Sequence, residues 1–192
     1  MTRTIYTENN ERFNRYDEFP QKKYDVVYAP ASGSISEFLW KKFGNNKTKL
    51  IIYDYEPLAL KWKQTLFVTQ DLEYSTATVK DCLIADVDFK KVKMNEKIFS
   101  NSDWTDTLKM IDDVEFVECN LLNEYLNVDV SKTNFICFSN IFSYHGEDFS
   151  SKLEYYYGLI NTTICGKKLD SRGWEYHFYN ENGQAYNEYN HV

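Results

Sequence analysis

Two features in the first 60 residues have the types and spacing to hold a ligand. Ala29-Pro30-Ala31-Ser32-Gly33-Ser34 is a loop of small residues between an apolar run and a segment of helical spacing. Small side chains let a ligand approach the backbone closely, and a helix starting just after the loop turns its free N–H groups toward it. Asp54 closes a second apolar run, 21 residues after Gly33. In an open parallel sheet, a carboxylate at that strand end accepts hydrogen bonds from ribose hydroxyls. A ligand containing adenosine satisfies both features. The other role open to Asp54 is capping the helix that begins near Leu58. Tyr55 is placed to pack on an adenine face, and Glu56 reads as a first-turn acid.

Further candidates follow later apolar runs. Asn120 and Leu121 come after residues 114–118, where Asn120 reads as a turn residue. Asn140 follows residues 134–138, at the usual ligand-facing edge of such a sheet. Tyr144 and His145 form the candidate acid–base pair, since imidazole transfers protons near neutral pH; a solvated loop is the plainer reading of His145. His177 and His191 lie in the closing segment and read as structural or exposed.

The elements that must position these residues are legible from periodicity. Residues 24–28 and 49–53 read as buried strands, and residues 35–43 as a helix ended by Gly44. Pro57 suits the first turn of the next helix. This strand–helix alternation predicts a parallel sheet covered by helices. Residues 114–118, 134–138 and 162–165 read as further strands, and residues 147–161 as a helix. Asn182-Gly183 between two aromatic-rich runs predicts a terminal hairpin. Residues 1–23 read as a helical lead-in. Residues 66–113 are too long for a bare loop and read as an insertion, with strands at 65–69 and 78–84 and an amphipathic stretch at 104–111. The fold class expected is α/β: a Rossmann-like, mostly parallel sheet flanked by helices and ending in an antiparallel hairpin, in a single domain over residues 1–192.

Composition excludes some classes. The net charge is −7 and the short lysine runs are interrupted by acids, which disfavours a nucleic-acid partner held by counterion release. The cysteines Cys82, Cys119, Cys137 and Cys165 are scattered with no Cys/His cluster, so no metal site is expected. They read as buried thiols of a reducing, cytoplasmic compartment. No apolar run reaches membrane-spanning length, and no secretory leader is evident.

Residues 27–39, Val27-Tyr28-Ala29-Pro30-Ala31-Ser32-Gly33-Ser34-Ile35-Ser36-Glu37-Phe38-Leu39, resemble the first motif of class I S-adenosylmethionine-dependent methyltransferases. There an acid is followed by three glycines at alternate positions and then a helix. Ala29, Ala31 and Gly33 take the glycine positions; Val27 takes the acid's, with Asp25 two residues earlier. Residues 52–57 are similar to the second motif, with Asp54 as its ribose-binding acid. Residues 116–121 resemble the third, with Asn120 at the adenine-recognising place, and residues 139–144 lie where the fourth would be. The resemblance implies S-adenosylmethionine as cofactor, held by residues 29–34, Asp54, Tyr55, Asn120, Leu121 and Asn140. It implies methyl transfer to a small molecule or a protein side chain. Such transfer rests mainly on alignment of nucleophile and methyl group, so the acceptor and the oligomeric state stay open. Two other functions remain open: a catalytically inactive binding or regulatory protein on the same fold, and a dinucleotide-dependent oxidoreductase, since Ala29-x-Ala31-x-x-Ser34 followed by Asp54 also fits a dinucleotide fingerprint.

Overall fold

The computed structural model describes residues 3–6, 16–17, 19, 21–81, 87–90, 101–139, 151–169, 175–181 and 184–189. The strands are β1 (Arg3–Tyr6), β2 (Val26–Pro30), β3 (Lys49–Asp54), β4 (Val87–Lys90), β5 (Val114–Glu118), β6 (Asn134–Cys137), β7 (Thr162–Leu169), β8 (Glu175–Glu181) and β9 (Gln184–Tyr189). Between them lie α1 (Ile35–Phe43), α2 (Pro57–Thr69), α3 (Leu72–Asp81) and α4 (Asn101–Met110). A further helix, α5, is described over residues 151–157.

The main sheet has the order β5-β3-β2-β6-β7-β8-β9. From β5 to β7 every pairing is parallel, and β7-β8-β9 closes the sheet as an antiparallel meander. This is the mostly parallel α/β architecture with a terminal hairpin that the sequence predicts. Alternation along the strands divides the core. Val27, Ala29, Leu50, Ile52, Phe135 and Cys137 face one side, where they pack with α1, α2 and α4. Val26, Tyr28, Ile51, Tyr53, Ile136 and Phe138 face the other, with Leu153 and Tyr156 of α5 and with Leu121 and Leu126. Phe43 of α1 stacks on Phe135 of β6, ring centroids 4.4 Å apart, a contact worth about 1 kcal/mol beyond its burial.

Helix α1 ends at Gly44, whose N–H donates to the Trp40 carbonyl at 2.7 Å. The backbone there is extended (φ −101°), not left-handed as in the commonest glycine cap. Close approach explains the residue instead: a Cβ on Gly44 would lie 2.6 Å from the Trp40 carbonyl oxygen.

Several expectations need correction. Residues 3–6 are a strand, not part of a helical lead-in. They pair in parallel with β4, a partner more than 80 positions away that no local pattern reveals. Residues 65–69, expected as a strand, complete α2. Their threonines are reconciled with a helix because Thr65 and Thr69 hydroxyls donate to the carbonyls of Lys61 and Thr65, four residues back, and Leu66 is buried. Residues 78–81 belong to α3, not to a strand; residues 82–84 lie outside the described set. The amphipathic stretch at 104–111 falls largely within α4. Among the described residues no helix is long and apolar enough to cross a membrane, and no group of residues suits a metal ion.

Candidate functional site

After β3, the chain continues outward to β5 and then returns to the other side of β2 to form β6. The order of strands therefore reverses between β2 and β6. In open α/β sheets, ligands bind outside the carboxyl ends of the strands at such a reversal. The loop at residues 31–34 lies at the carboxyl end of β2, beside this point.

Ala29 and Pro30 are the last residues of β2 and are buried, as are Ala31, Gly33 and Ser34; Ser32 is half-buried. The Ala31 N–H donates to the Tyr53 carbonyl at 3.0 Å, so the loop is tied to the end of β3. Gly33 has φ 52°, a left-handed conformation that only glycine adopts without cost. Ser34 is the N-cap of α1, yet its side chain makes no capping bond. It is 1% exposed, and its Oγ has no partner among the described residues. A buried hydroxyl in that state costs about 1–3 kcal/mol. A ligand acceptor at the helix N-terminus would satisfy it.

Asp54 ends β3. Its Oδ1 accepts the Glu56 N–H at 3.0 Å, while Glu56 itself caps α2 by accepting the Leu58 N–H at 3.2 Å. Burial pushes the Asp54 carboxyl up to about 6. The negative charge of Glu56 acts in the same direction, and N–H groups of Glu56, Tyr55 and Ala31 oppose it. Asp54 is half-buried and adjoins Tyr53, whose carbonyl the small-residue loop bonds through Ala31. Tyr55 is 70% exposed.

On the next strand over, the Cys119 N–H donates to the Asp54 carbonyl at 2.9 Å. Asn120 follows, half-buried. Its Oδ1 accepts the Leu122 N–H at 3.1 Å, and its carbonyl accepts the N–H groups of Asn123 and Glu124, so it organises the turn leaving β5. Leu121 is buried in the core on the α5 face. Backbone bonds thus tie Cys119 to Asp54 and Ala31 to Tyr53 along the sheet's carboxyl edge. Asn140, Tyr144 and His145 lie outside the described residues.

Three features go beyond the sequence reading. Ser139, which opens the segment set at the fourth motif, is buried with φ 49° just after β6. A left-handed serine at the carboxyl end of a central strand is the kind of strained backbone that gathers at functional sites, and nothing in the sequence signals it. Tyr53 reaches across β2, where its hydroxyl donates to the Cys137 carbonyl at 2.6 Å and fixes the end of β6. Lys63 and Glu37 form a fully buried ion pair behind the loop.

Asp25, the acid nearest the first motif, belongs to the other end of the sheet. It precedes β2, and its Oδ2 accepts the Thr133 N–H at 2.9 Å and the Thr133 hydroxyl at 2.8 Å. It staples the amino edge, away from the loop.

The class that the fold defines is an α/β protein with a mostly parallel sheet whose strand order reverses between β2 and β6. Comparison with protein-family models finds no match, and comparisons with curated proteins and with solved structures find none either.

Proposed function

We propose that the chain binds S-adenosylmethionine along the carboxyl edge of its sheet and acts as a methyltransferase on a small molecule or a protein side chain. The observation that carries this reading is the Asp54 carboxylate, half-buried at the carboxyl end of β3, next to Tyr53, whose carbonyl the small-residue loop bonds through Ala31. A carboxylate kept there at a cost to the fold has a use as an acceptor for vicinal hydroxyls. Asn120 on one side and residues 31–34 on the other supply places for an adenine and for an amino-acid tail. From β5 to β6 the edge spans three strand spacings, about 14 Å, which suits an extended nucleoside derivative.

The cofactor would supply a methyl group on a sulfonium, an electrophile with its own leaving group. The protein's task is then to bind, align and exclude water. Asp54 accepts bonds from the ribose hydroxyls. The Ser34 hydroxyl, at the N-terminus of α1, donates to the tail's carboxylate, where the helix field also favours an anion. The antiparallel end of the sheet argues against a dinucleotide enzyme, because β6–α5–β7 begins a second βαβαβ half but the next described strand, β8, runs antiparallel to β7.

Calorimetric titration with S-adenosylmethionine, S-adenosylhomocysteine and NAD tests the reading. Saturable binding of the two adenosyl amino acids, weakened by Asp54→Ala, is expected. Preference for NAD would refute it. Binding without methyl transfer to any acceptor would leave a binding protein on this fold.

A further inference from the structure

Glu37 and Lys63 are both fully buried. The Lys63 Nζ donates to Glu37 Oε1 at 2.9 Å and Oε2 at 3.0 Å, and it also donates to the Gly33 carbonyl. Glu37 Oε2 accepts in addition the Ser36 hydroxyl at 2.8 Å. The ammonium lies 5.3 Å from the Trp62 ring centroid and 5.5 Å from that of Trp104. One cluster thus joins α1, α2, α4 and the ligand loop.

Stability alone does not explain this cluster. Taking two charges out of water is costly, and apolar side chains of similar volume serve a core as well or better. What apolar side chains cannot do is donate to the Gly33 carbonyl. In a trans peptide, the C=O and the following N–H point in opposite directions. Holding the Gly33 oxygen on the Lys63 ammonium therefore turns the Ser34 N–H away from the cluster. It also holds the left-handed Gly33 that brings Ser34 to the N-terminus of α1.

We infer that Lys63, charge-balanced by Glu37, is a positioning residue that sets the Gly33–Ser34 peptide for ligand binding, with α4 of the 66–113 segment walling the cluster through Trp104. The effect on affinity rests on the proposed adenosyl site; the effect on the peptide does not.

The test compares wild type with Glu37→Leu/Lys63→Met, which removes the clamp without leaving a lone buried charge, and with Glu37→Gln, which keeps the Lys63 donor on Gly33. Three readouts are used: thermal unfolding, amide hydrogen exchange over residues 29–37 and 134–137, and calorimetry with S-adenosylhomocysteine. The double variant is expected to unfold within a few degrees of wild type or above it. Its Gly33 and Ser34 amides are expected to exchange faster while those of β6 do not, and its Kd to rise about ten-fold, as the peptide orientation that binds ligand falls to about a tenth of the population. Glu37→Gln, which leaves the Lys63 ammonium without its counter-charge, is expected to lose stability and to lose less affinity than the double variant. A stable double variant with wild-type exchange at Gly33 and Ser34 and wild-type affinity would overturn the inference. If the double variant does not fold, Glu37→Gln/Lys63→Met carries the same comparison. If wild type takes up no adenosyl ligand, the functional reading fails, and exchange alone decides the clamp: unchanged exchange overturns it.

Discussion

Asp54→Asn should stabilise the protein at neutral pH while weakening its ligand binding. The carboxyl ionises near 3.8 in an open chain and at about 6 in the fold. Each unit of that shift corresponds to about 1.36 kcal/mol, so the ionised Asp54 sets native stability back by about 3 kcal/mol above pH 7. The sign follows from proton binding. Between the two values the native state holds the extra proton, so stability falls as pH rises through this window and then levels off. Below pH 3.8 the term vanishes. Asparagine removes the charge and keeps an oxygen for the Glu56 N–H, but its amide hydrogens must find partners near the Ala31 and Tyr55 N–H groups. About 3 kcal/mol is therefore a ceiling, and about 1–2 kcal/mol is expected after that loss. For a chain of this size the gain reads as about 2–8 °C in unfolding midpoint. Thermal melts of both proteins at pH 4 and pH 8 provide the assay. The gain should appear at pH 8 and shrink toward zero at pH 4. A variant equally stable or less stable than wild type at pH 8 would refute the claim that Asp54 is held charged against its environment.

Gly44→Ala should destabilise by about 1–3 kcal/mol, because the added methyl meets the Trp40 carbonyl oxygen; urea unfolding with an unchanged midpoint would contradict the close approach. Asp25→Ala should lower the unfolding midpoint at neutral pH without changing ligand affinity, since Asp25 works at the amino edge. The Thr133 N–H and hydroxyl hold the Asp25 carboxyl below its ordinary value, so its contribution is present above the ordinary carboxylate range. That contribution is lost as pH falls through the lowered value, and melts at successive pH values should show the variant and wild type converging in acid.

The sheet's parallel half was legible because its signals are local. Residues 26–30, 50–53 and 134–137 are continuous runs buried on both faces, residues 114–118 alternate apolar and acidic residues as an edge strand does, and α1 shows its apolar face at helical spacing between a small-residue loop and Gly44. Asn182-Gly183 carried enough turn chemistry to announce the hairpin. What failed depends on distant partners. The β1–β4 pairing joins residues 3–6 to residues 87–90, and neither segment is distinctive alone. Thr65-Leu66-Phe67-Val68-Thr69 has strand-like composition, and only packing of Leu66 and Phe67 beneath α2, with threonine hydroxyls bonded back four residues, keeps it helical. In the site, Asp54 could be singled out because an acid ending an apolar strand is unusual. The capping role went to Glu56, which the sequence left as a first-turn acid. Glu37 and Lys63 look like ordinary surface charges on two helices. Their burial becomes visible only when Lys63 of α2 reaches Glu37 of α1, with Trp104 of α4 beside the ammonium.

The most direct test of the central claim is calorimetric titration of wild type and Asp54→Ala with S-adenosylhomocysteine at pH 7.5, where the Asp54 carboxyl is ionised. Single-site binding to wild type, at least about ten-fold weaker in the variant, is the result expected of a carboxylate that holds the ribose. Absence of binding to wild type, or equal affinity in the two proteins, would contradict it.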